Sequence, residues 1–479
     1  MPSPTAAPLT PAAVASAATY WDRWVAFRQR YTRVPGVQAA WWYHDGLVLS
    51  AAHGRADVAS DTALSTSHLF RIASHSKTFT ATAVFRLLEA GRLRLDDPVE
   101  TWLGWLSGQP LGDRTLRELL AHGGGVVRDG RDGDFWQLSR AFPDRAALRT
   151  AATDGADVLP ANQQFKYSNI GYALLGQVIE AVSGTSYADF LRREVVDVLG
   201  LQRTGPELDP GRGDDYATGY SSLAYASRRL PIDHIDTGAM AAATGFYSTA
   251  EDLCRYASAQ FLGDPRLLSD RSKRLMQRSE WKVEGTDTHY GLGFQVHDIG
   301  GRRLVGHGGG YPGHNTATLL DPEGRLALSV LTNAIDGSAA ELVTTGVRLA
   351  NLAAEGARAG TSVDAASVER LCGRYANLWG VLDIVRLGDG LYALDPSAGD
   401  PTEEPTSLEV TGPTTLRTAR TRGFGSPGET LEFDVDEAGR VRSVRGSGAM
   451  SWHPYDAFAD AVAARDRVEL GSPIRPVTG

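Results

Sequence analysis

The sequence predicts an α+β fold, an α/β sandwich in which helices flank an antiparallel sheet, with a small all-β barrel appended at the C-terminus. Three observations predict it. Strand patterns occur at both ends of residues 20–355, and a mainly helical stretch lies between them. After a small, polar linker at 356–362 the pattern changes to short strands parted by Gly and Asp turns. A chain of 479 residues exceeds one ordinary core, so two domains are expected, at 20–355 and 363–479.

From Ala12 to Arg33, the residues Trp21, Trp24, Val25 and Phe27 recur at roughly helical spacing and predict an opening amphipathic helix. Val37 to Tyr43 reads as a strand, and Asp45-Gly46 is a hairpin turn leading back through Leu47 to Ser50. Helices are predicted at Ser74 to Ala90, Thr115 to Ala121, Tyr172 to Val182, Tyr187 to Val198 and Thr249 to Gln260. The first is rich in helix formers and stops at Gly91. The last opens on Ser248-Thr249, a capping pair, with Glu251 and Asp252 in its first turn. Strands return at Tyr290 to Val296, Arg303 to Val305, Asn315 to Leu320 and Leu326 to Thr332, followed by a helix from Ala339 to Glu355. This arrangement makes one sheet from the two ends and packs it against the helical region, with a site expected in the cleft between them. In the second domain, Leu382 to Leu387, Gly390 to Leu394 and Thr430 to Val435 read as strands of a barrel or sandwich.

Composition excludes several function classes. A formal net charge of −9 and a pI near 5.7 argue against nucleic acid or an anionic membrane surface as the main partner. No run approaches the length of a membrane span. Cys254 and Cys372 are too few for a disulfide framework and read as inert core thiols. The stretch from Met1 to Thr19 has no Lys or Arg, unlike the charged start of a secretory signal, so a cytoplasmic location is expected.

The 48 basic Lys and Arg residues include only four lysines, Lys77, Lys166, Lys273 and Lys282. An ammonium can lose its proton when buried, whereas a guanidinium cannot, so a rare lysine marks a place where a proton must move. Lys77 follows Ser74 by three residues at the opening of a helix, which puts the hydroxyl and the amine on one face. The helix N-terminus also favours developing negative charge there. Spacing alone is weak evidence, because Ser279 and Lys282 repeat it in a polar stretch and are read as an accident.

Two more constellations follow. Tyr167-Ser168-Asn169 offers a phenol able to pass a proton and an amide able to hold a carbonyl, although such a run is also ordinary loop chemistry. His307-Gly308-Gly309-Gly310 follows a strand, and its glycines allow close approach of a ligand, with the Gly310 amide as an oxyanion donor; alone it is equally a flexible turn. Two runs fit G-x-G-x-x-G, at Gly423 to Gly428 and Gly308 to Gly313, but neither opens a helix within a βαβ unit, so no dinucleotide site is inferred. His307 and His314 lack identifiable partners for a metal.

In order, Ser74/Lys77, Tyr167/Asn169 and His307/Gly309 resemble the penicillin-recognising serine hydrolases, in the branch of class C beta-lactamases, D-aminopeptidases and carboxylesterases. Thr115 to His122, Gly245 to Leu253 and Tyr290 to Phe294 look familial too, and the resemblance spans about residues 20–355. From Leu371 onward the chain resembles the lipocalin-like barrel that many members append. The resemblance implies Ser74 as nucleophile, Lys77 as its proton partner and Tyr167 as the acid/base for the leaving group. It further implies an oxyanion hole from the amides of Ser74 and Gly310, Asn169 orienting the substrate, His307 where many beta-lactamases have lysine, and no metal or organic cofactor.

His75 is polar where a smaller or apolar residue is more usual; it is expected to be packed, with a substrate contact as the alternative. His307, together with Ala121 to Gly125 in place of a Thr/Ser loop, argues against strong beta-lactamase activity. The leading expectation is a serine hydrolase acting on a small molecule or short peptide, cleaving an amide or ester that includes D-amino acid substrates. An acyltransferase or peptide cyclase and a non-catalytic binding or sensor module stay open, as does the oligomeric state.

Overall fold

In a computed structural model of the chain, the residues described are 6–358, 368–420, 426–474 and 476. They form two compact units, one of residues 32–344 and the other of residues 6–31 with those from 345 onward.

The first unit is built on a nine-stranded sheet. Strands β1 (Gly36–Tyr43), β2 (Gly46–Asp57) and β3 (Thr62–Ala63) come from its start. Strands β4 (Trp281–Lys282), β5 (His289–Tyr290), β6 (Gln295–Ile299), β7 (Arg302–Tyr311), β8 (His314–Asp321) and β9 (Leu326–Thr332) come from its end. The order is β3-β2-β1-β9-β8-β7-β6-β5-β4, so β1 and β9 join the two ends, antiparallel, with Val37 opposite Thr332 and Tyr43 opposite Leu326. The sequence reading of one sheet closed by both ends holds. Every residue of β9 and all but the last of β1 are buried, as expected where both faces of a sheet are covered. The cover on one face includes the Ala250–Ser258 helix, whose Cys254 thiol reaches the carbonyls of Ala40 and Ala327 at 3.5 and 3.7 Å.

The predicted strand Tyr290 to Val296 is split into β5 and β6. A Cβ at Gly291 would stand 2.3 Å from the Met276 carbonyl oxygen, and one at Gly293, where φ is +93°, 2.3 Å from the Ala81 side chain. These glycines let the chain turn tightly against its neighbours, which alternation alone does not reveal.

Between the sheet's two halves lies the helical region. Helix α1 (Ser76–Glu89) is buried over most of its length. Its three threonines tolerate this because Thr78, Thr80 and Thr82 each donate to a carbonyl one turn back, on His75, Ser76 and Thr78. Helix α2 (Asn169–Ser183) starts at Ser168, which accepts from Gly171 N at 2.9 Å, and ends at left-handed Gly184.

The second unit is a closed eight-stranded barrel running from Gly373–Asn377 to Ser451–Pro454. Its interior is filled by Tyr375, Ile384, Leu391, Leu416, Leu431 and Phe433. The opening helix Pro11–Tyr31 is grouped with it: Tyr20 donates to Asp383 at 3.0 Å and Trp24 Nε1 to Pro396 O at 3.1 Å. Gly356 to Arg358 continue the Ala339–Arg358 helix, while positions 359–362 of the predicted linker lie outside the described residues. Residues 423–425 of the Gly423 to Gly428 run do as well. Cys254 and Cys372 are free thiols, both pushed up by burial, Cys372 to about 12. No helix among the described residues is long and apolar enough to cross a membrane.

Candidate active site

Ser74 lies in a single 3₁₀ turn, Ala73–His75, that runs directly into α1. It therefore precedes the α-helix instead of capping it. Ala73 takes φ +47°, a left-handed conformation that a non-glycine residue adopts only when its surroundings hold it. That hold is visible: Ser76 Oγ donates to Ala73 O at 2.6 Å and accepts from Phe246 N at 3.0 Å.

Lys77 is fully buried. Its Nζ lies 3.3 Å from Ser74 Oγ, 2.7 Å from Asn169 Oδ1 and 2.9 Å from Ala243 O. Burial pushes the amine well below its usual range; Asp129 opposes the shift and the Arg128 charge adds to it. Tyr167 donates to the same Ser74 oxygen at 3.0 Å, and burial raises its phenol well above the ordinary value. Lys77 and Tyr167 thus converge on one hydroxyl. Asn169 is held at both ends, since its Nδ2 donates to Asp129 Oδ1 at 2.7 Å while Oδ1 faces Lys77. The resemblance implied a substrate contact for Asn169; in the structure its amide is already engaged.

Strand β7 brings His307, Gly309 and Gly310 to the nucleophile turn. A Cβ at Gly309 would meet Ile72 O at 2.1 Å, whereas one at Gly310 would find open space. His307 lies close to the carbonyl of Gly308, 2.6 Å from Nδ1, and to Tyr290 OH, 3.1 Å from Nε2. A carbonyl only accepts, so Nδ1 carries the proton and Nε2 receives the Tyr290 hydroxyl. Burial, with the Lys77 charge second, pushes His307 well below 6.5, so it stands neutral near pH 7.

His75 is packed, as expected. Its ring lies against Ile72 O and Thr316 Oγ1 through Nδ1, and 3.0 Å from Thr318 Oγ1 through Nε2. Burial lowers it to about 4. His122 accepts from Ser168 N through Nδ1 at 3.1 Å, and its ring centroid lies 4.3 Å from that of Tyr167. Its burial, first among the causes, also holds it well below the usual range. The accidental pair is also clear. Ser279 is exposed, Lys282 lies on β4, and Ser279 Oγ contacts His289 Nδ1 at 2.8 Å, with no helix opening at the serine.

The beta-lactamase family profile matches residues 21–352, more than half of the chain. The chain belongs to the beta-lactamase family. Penicillin-binding protein 4* of Bacillus subtilis (strain 168) is 30% identical over 294 residues, 58% of this chain and 64% of its own length. The chain thus spans under two thirds of that relative. The octameric penicillin-binding protein homologue from Pyrococcus abyssi has a TM-score of 0.64 at 22% identity, covering 91% of this chain and 99% of its own, which shows the fold. SurE in its structure with D-Leu has a TM-score of 0.54 at 25% identity, covering 93% of this chain and 100% of its own. Family membership and the shared fold are what these likenesses show.

Within this family member, several contacts around Ser74 have no local signal in the sequence. Asp129, which fixes Asn169, the Ala243 carbonyl on Lys77, and Tyr290 on His307 all reach the site from distant segments. His122, Phe246 and Tyr290 fall inside stretches whose resemblance is visible in sequence.

Proposed function

We propose that the protein cleaves an amide or ester through an acyl-enzyme formed on Ser74. The observation that carries this reading is the environment of Lys77. A neutral amine has two N–H groups and one lone pair; Asn169 Oδ1 and Ala243 O take the two hydrogens, which leaves the lone pair for the Ser74 hydroxyl. Ser74 then attacks the substrate carbonyl carbon as its proton passes to Lys77. The amides of Ser74 and Gly310 are assigned to the developing oxyanion.

Tyr167, already donating to the Ser74 oxygen, gives its proton to the leaving group as the scissile bond breaks. The ammonium and phenolate that remain sum to zero charge. Water then reverses the sequence, losing its proton to the Tyr167 oxygen as Ser74 leaves with the proton from Lys77. Asn169 holds the amine in place in this scheme. Esters and peptides presenting a D-residue are the first substrates to test, since SurE, a structural neighbour, is seen with D-Leu. The neutral His307 supports weak activity on beta-lactams.

The test compares turnover of D- and L-aminoacyl esters by the wild type, Ser74→Ala, Lys77→Arg and Ser279→Ala. Ser74→Ala and Lys77→Arg are expected to lose at least about 1,000-fold in rate, because nucleophile and base act as a unit. Ser279→Ala should retain full rate. Adding an amine acceptor reads whether the acyl group passes to water or to the amine. Turnover persisting in Ser74→Ala would overturn the proposal.

A further inference from the structure

A side-chain amide has two ends of nearly the same shape, and at Asn169 the choice between them decides what Lys77 can do. With Oδ1 toward Nζ, at 2.7 Å, the amide accepts an N–H of the amine and leaves the lone pair free. Turned over, Nδ2 would aim a hydrogen at Nζ and occupy the lone pair that the scheme above gives to Ser74. Lys77 does not enforce the first arrangement by itself. A neutral amine both donates and accepts, and it accepts more strongly than it donates, so left alone the pair would favour the turned amide.

Asp129 supplies the preference. Its Oδ1 lies 2.7 Å from Asn169 Nδ2, and a carboxylate only accepts, so the NH2 end must face it. The carboxylate is held in turn: Trp136 Nε1 donates to the same oxygen at 3.1 Å, and Arg128 Nε lies 3.3 Å from Oδ2. The two backbones are pinned together, because Asn169 N and Ile170 N donate to Arg128 O at 2.8 and 3.2 Å, and Ser168 Oγ donates to Val127 O at 2.7 Å. Around Lys77, Asp129 and Arg128 act from this loop in opposite senses, and the Tyr167 and Tyr172 rings lie 4.8 and 5.5 Å from Nζ. His122 and His307 are kept neutral by burial. Of these groups only Asp129 is negative.

We propose that Asp129 is a positioning residue that fixes the orientation of the Asn169 amide and so keeps the Lys77 lone pair directed at Ser74. The inference rests on the reading of Lys77 as the base, and its test separates the two.

With four lysines in the chain, carbon-13 placed at their Cε gives four NMR signals, and the one lost in Lys77→Arg belongs to Lys77. Titrating that signal reads the amine directly, and the rate at which a fluorophosphonate labels Ser74 reads the lone pair. In Asp129→Asn the Lys77 midpoint should fall by about one pH unit, because a nearby negative charge is lost and the turned amide favours the neutral amine. Labelling on the high-pH plateau should drop at least about tenfold, the scale of a hydrogen bond to a charged group. Asp129→Glu, still charged and acceptor-only, should recover most of both. Trp136→Phe keeps the carboxylate and should leave the Lys77 midpoint at its wild-type value even where it lowers the melting temperature, which a general loosening of the loop would not do. Undiminished labelling in Lys77→Arg would sink the base reading, while the midpoint comparison still decides Asp129. An unchanged Lys77 midpoint in Asp129→Asn overturns the proposal. So does wild-type labelling in Asp129→Asn when Lys77→Arg is not labelled.

Discussion

The proposed role of Lys77 as the base for Ser74 carries a pH dependence. A buried ammonium loses hydration, so its proton leaves at a pH below the usual 10.5, while Tyr167 keeps its proton to a higher pH than a free phenol. The kcat/KM profile should therefore rise along an acid limb lying well below pH 10.5, with no alkaline fall from Tyr167 near pH 10. A limb at 10.5 would contradict the discharged amine. His75 adds a stability prediction. It titrates near 6.5 unfolded and at about 4 folded, so over that interval the unfolded state binds the extra proton and stability falls as pH drops from 6.5 toward 4. His122 and His307 act with the same sign. Denaturant unfolding at pH 7 and pH 5 should show the loss, smaller in His75→Gln; equal stability at both would refute it. At this scale Ser74 and Lys77 were legible because their relation is local, one helical turn. Asp129 and Ala243 were not, because their relation to Lys77 exists only after the chain has folded across more than fifty residues.

Among elements, β7 is the one whose placement decides the geometry at Ser74. Gly309 lies where any Cβ would strike Ile72 O and Thr316 Oγ1, at 2.1 and 2.6 Å, so Gly309→Ala must push the strand away from the nucleophile turn. It is expected to cost at least about 100-fold in Ser74 labelling rate, since displacement of reacting groups by an ångström has effects of that order. Gly310→Ala meets no neighbour and should keep the wild-type melting temperature. Labelling kinetics and thermal melts of the two variants check this; a Gly309→Ala enzyme labelled at the wild-type rate would show that the strand has slack. The strands of the sheet were readable from alternation and apolar runs, and β9 matches its predicted bounds. The break between β5 and β6 was not, because Gly291 and Gly293 are set by contacts with Met276 and Ala81 that no local pattern encodes.

For the whole molecule, the barrel was legible as a class from short strands and Gly/Asp turns. The grouping of the opening helix with it was hidden, because it depends on tertiary partners. Tyr20 and Arg374 both bond Asp383, Arg374 through two nitrogens at 2.7 and 2.8 Å, and Asp383 is almost fully buried. Asp383→Ala leaves the partly buried Arg374 guanidinium without its carboxylate and should destabilise this unit by about 3 kcal/mol, whereas Tyr20→Phe should cost about 1 kcal/mol. Denaturant unfolding separates the two, and equal losses would contradict the network. The central claim concerns the covalent bond on Ser74. Its most direct test is intact-protein mass spectrometry after rapid mixing with D- and L-aminoacyl esters, with the adduct mapped to its peptide. One acyl group on the peptide containing Ser74, absent from Ser74→Ala, is the predicted result. An acyl group on another residue, or ester turnover by Ser74→Ala with no adduct at all, would contradict it.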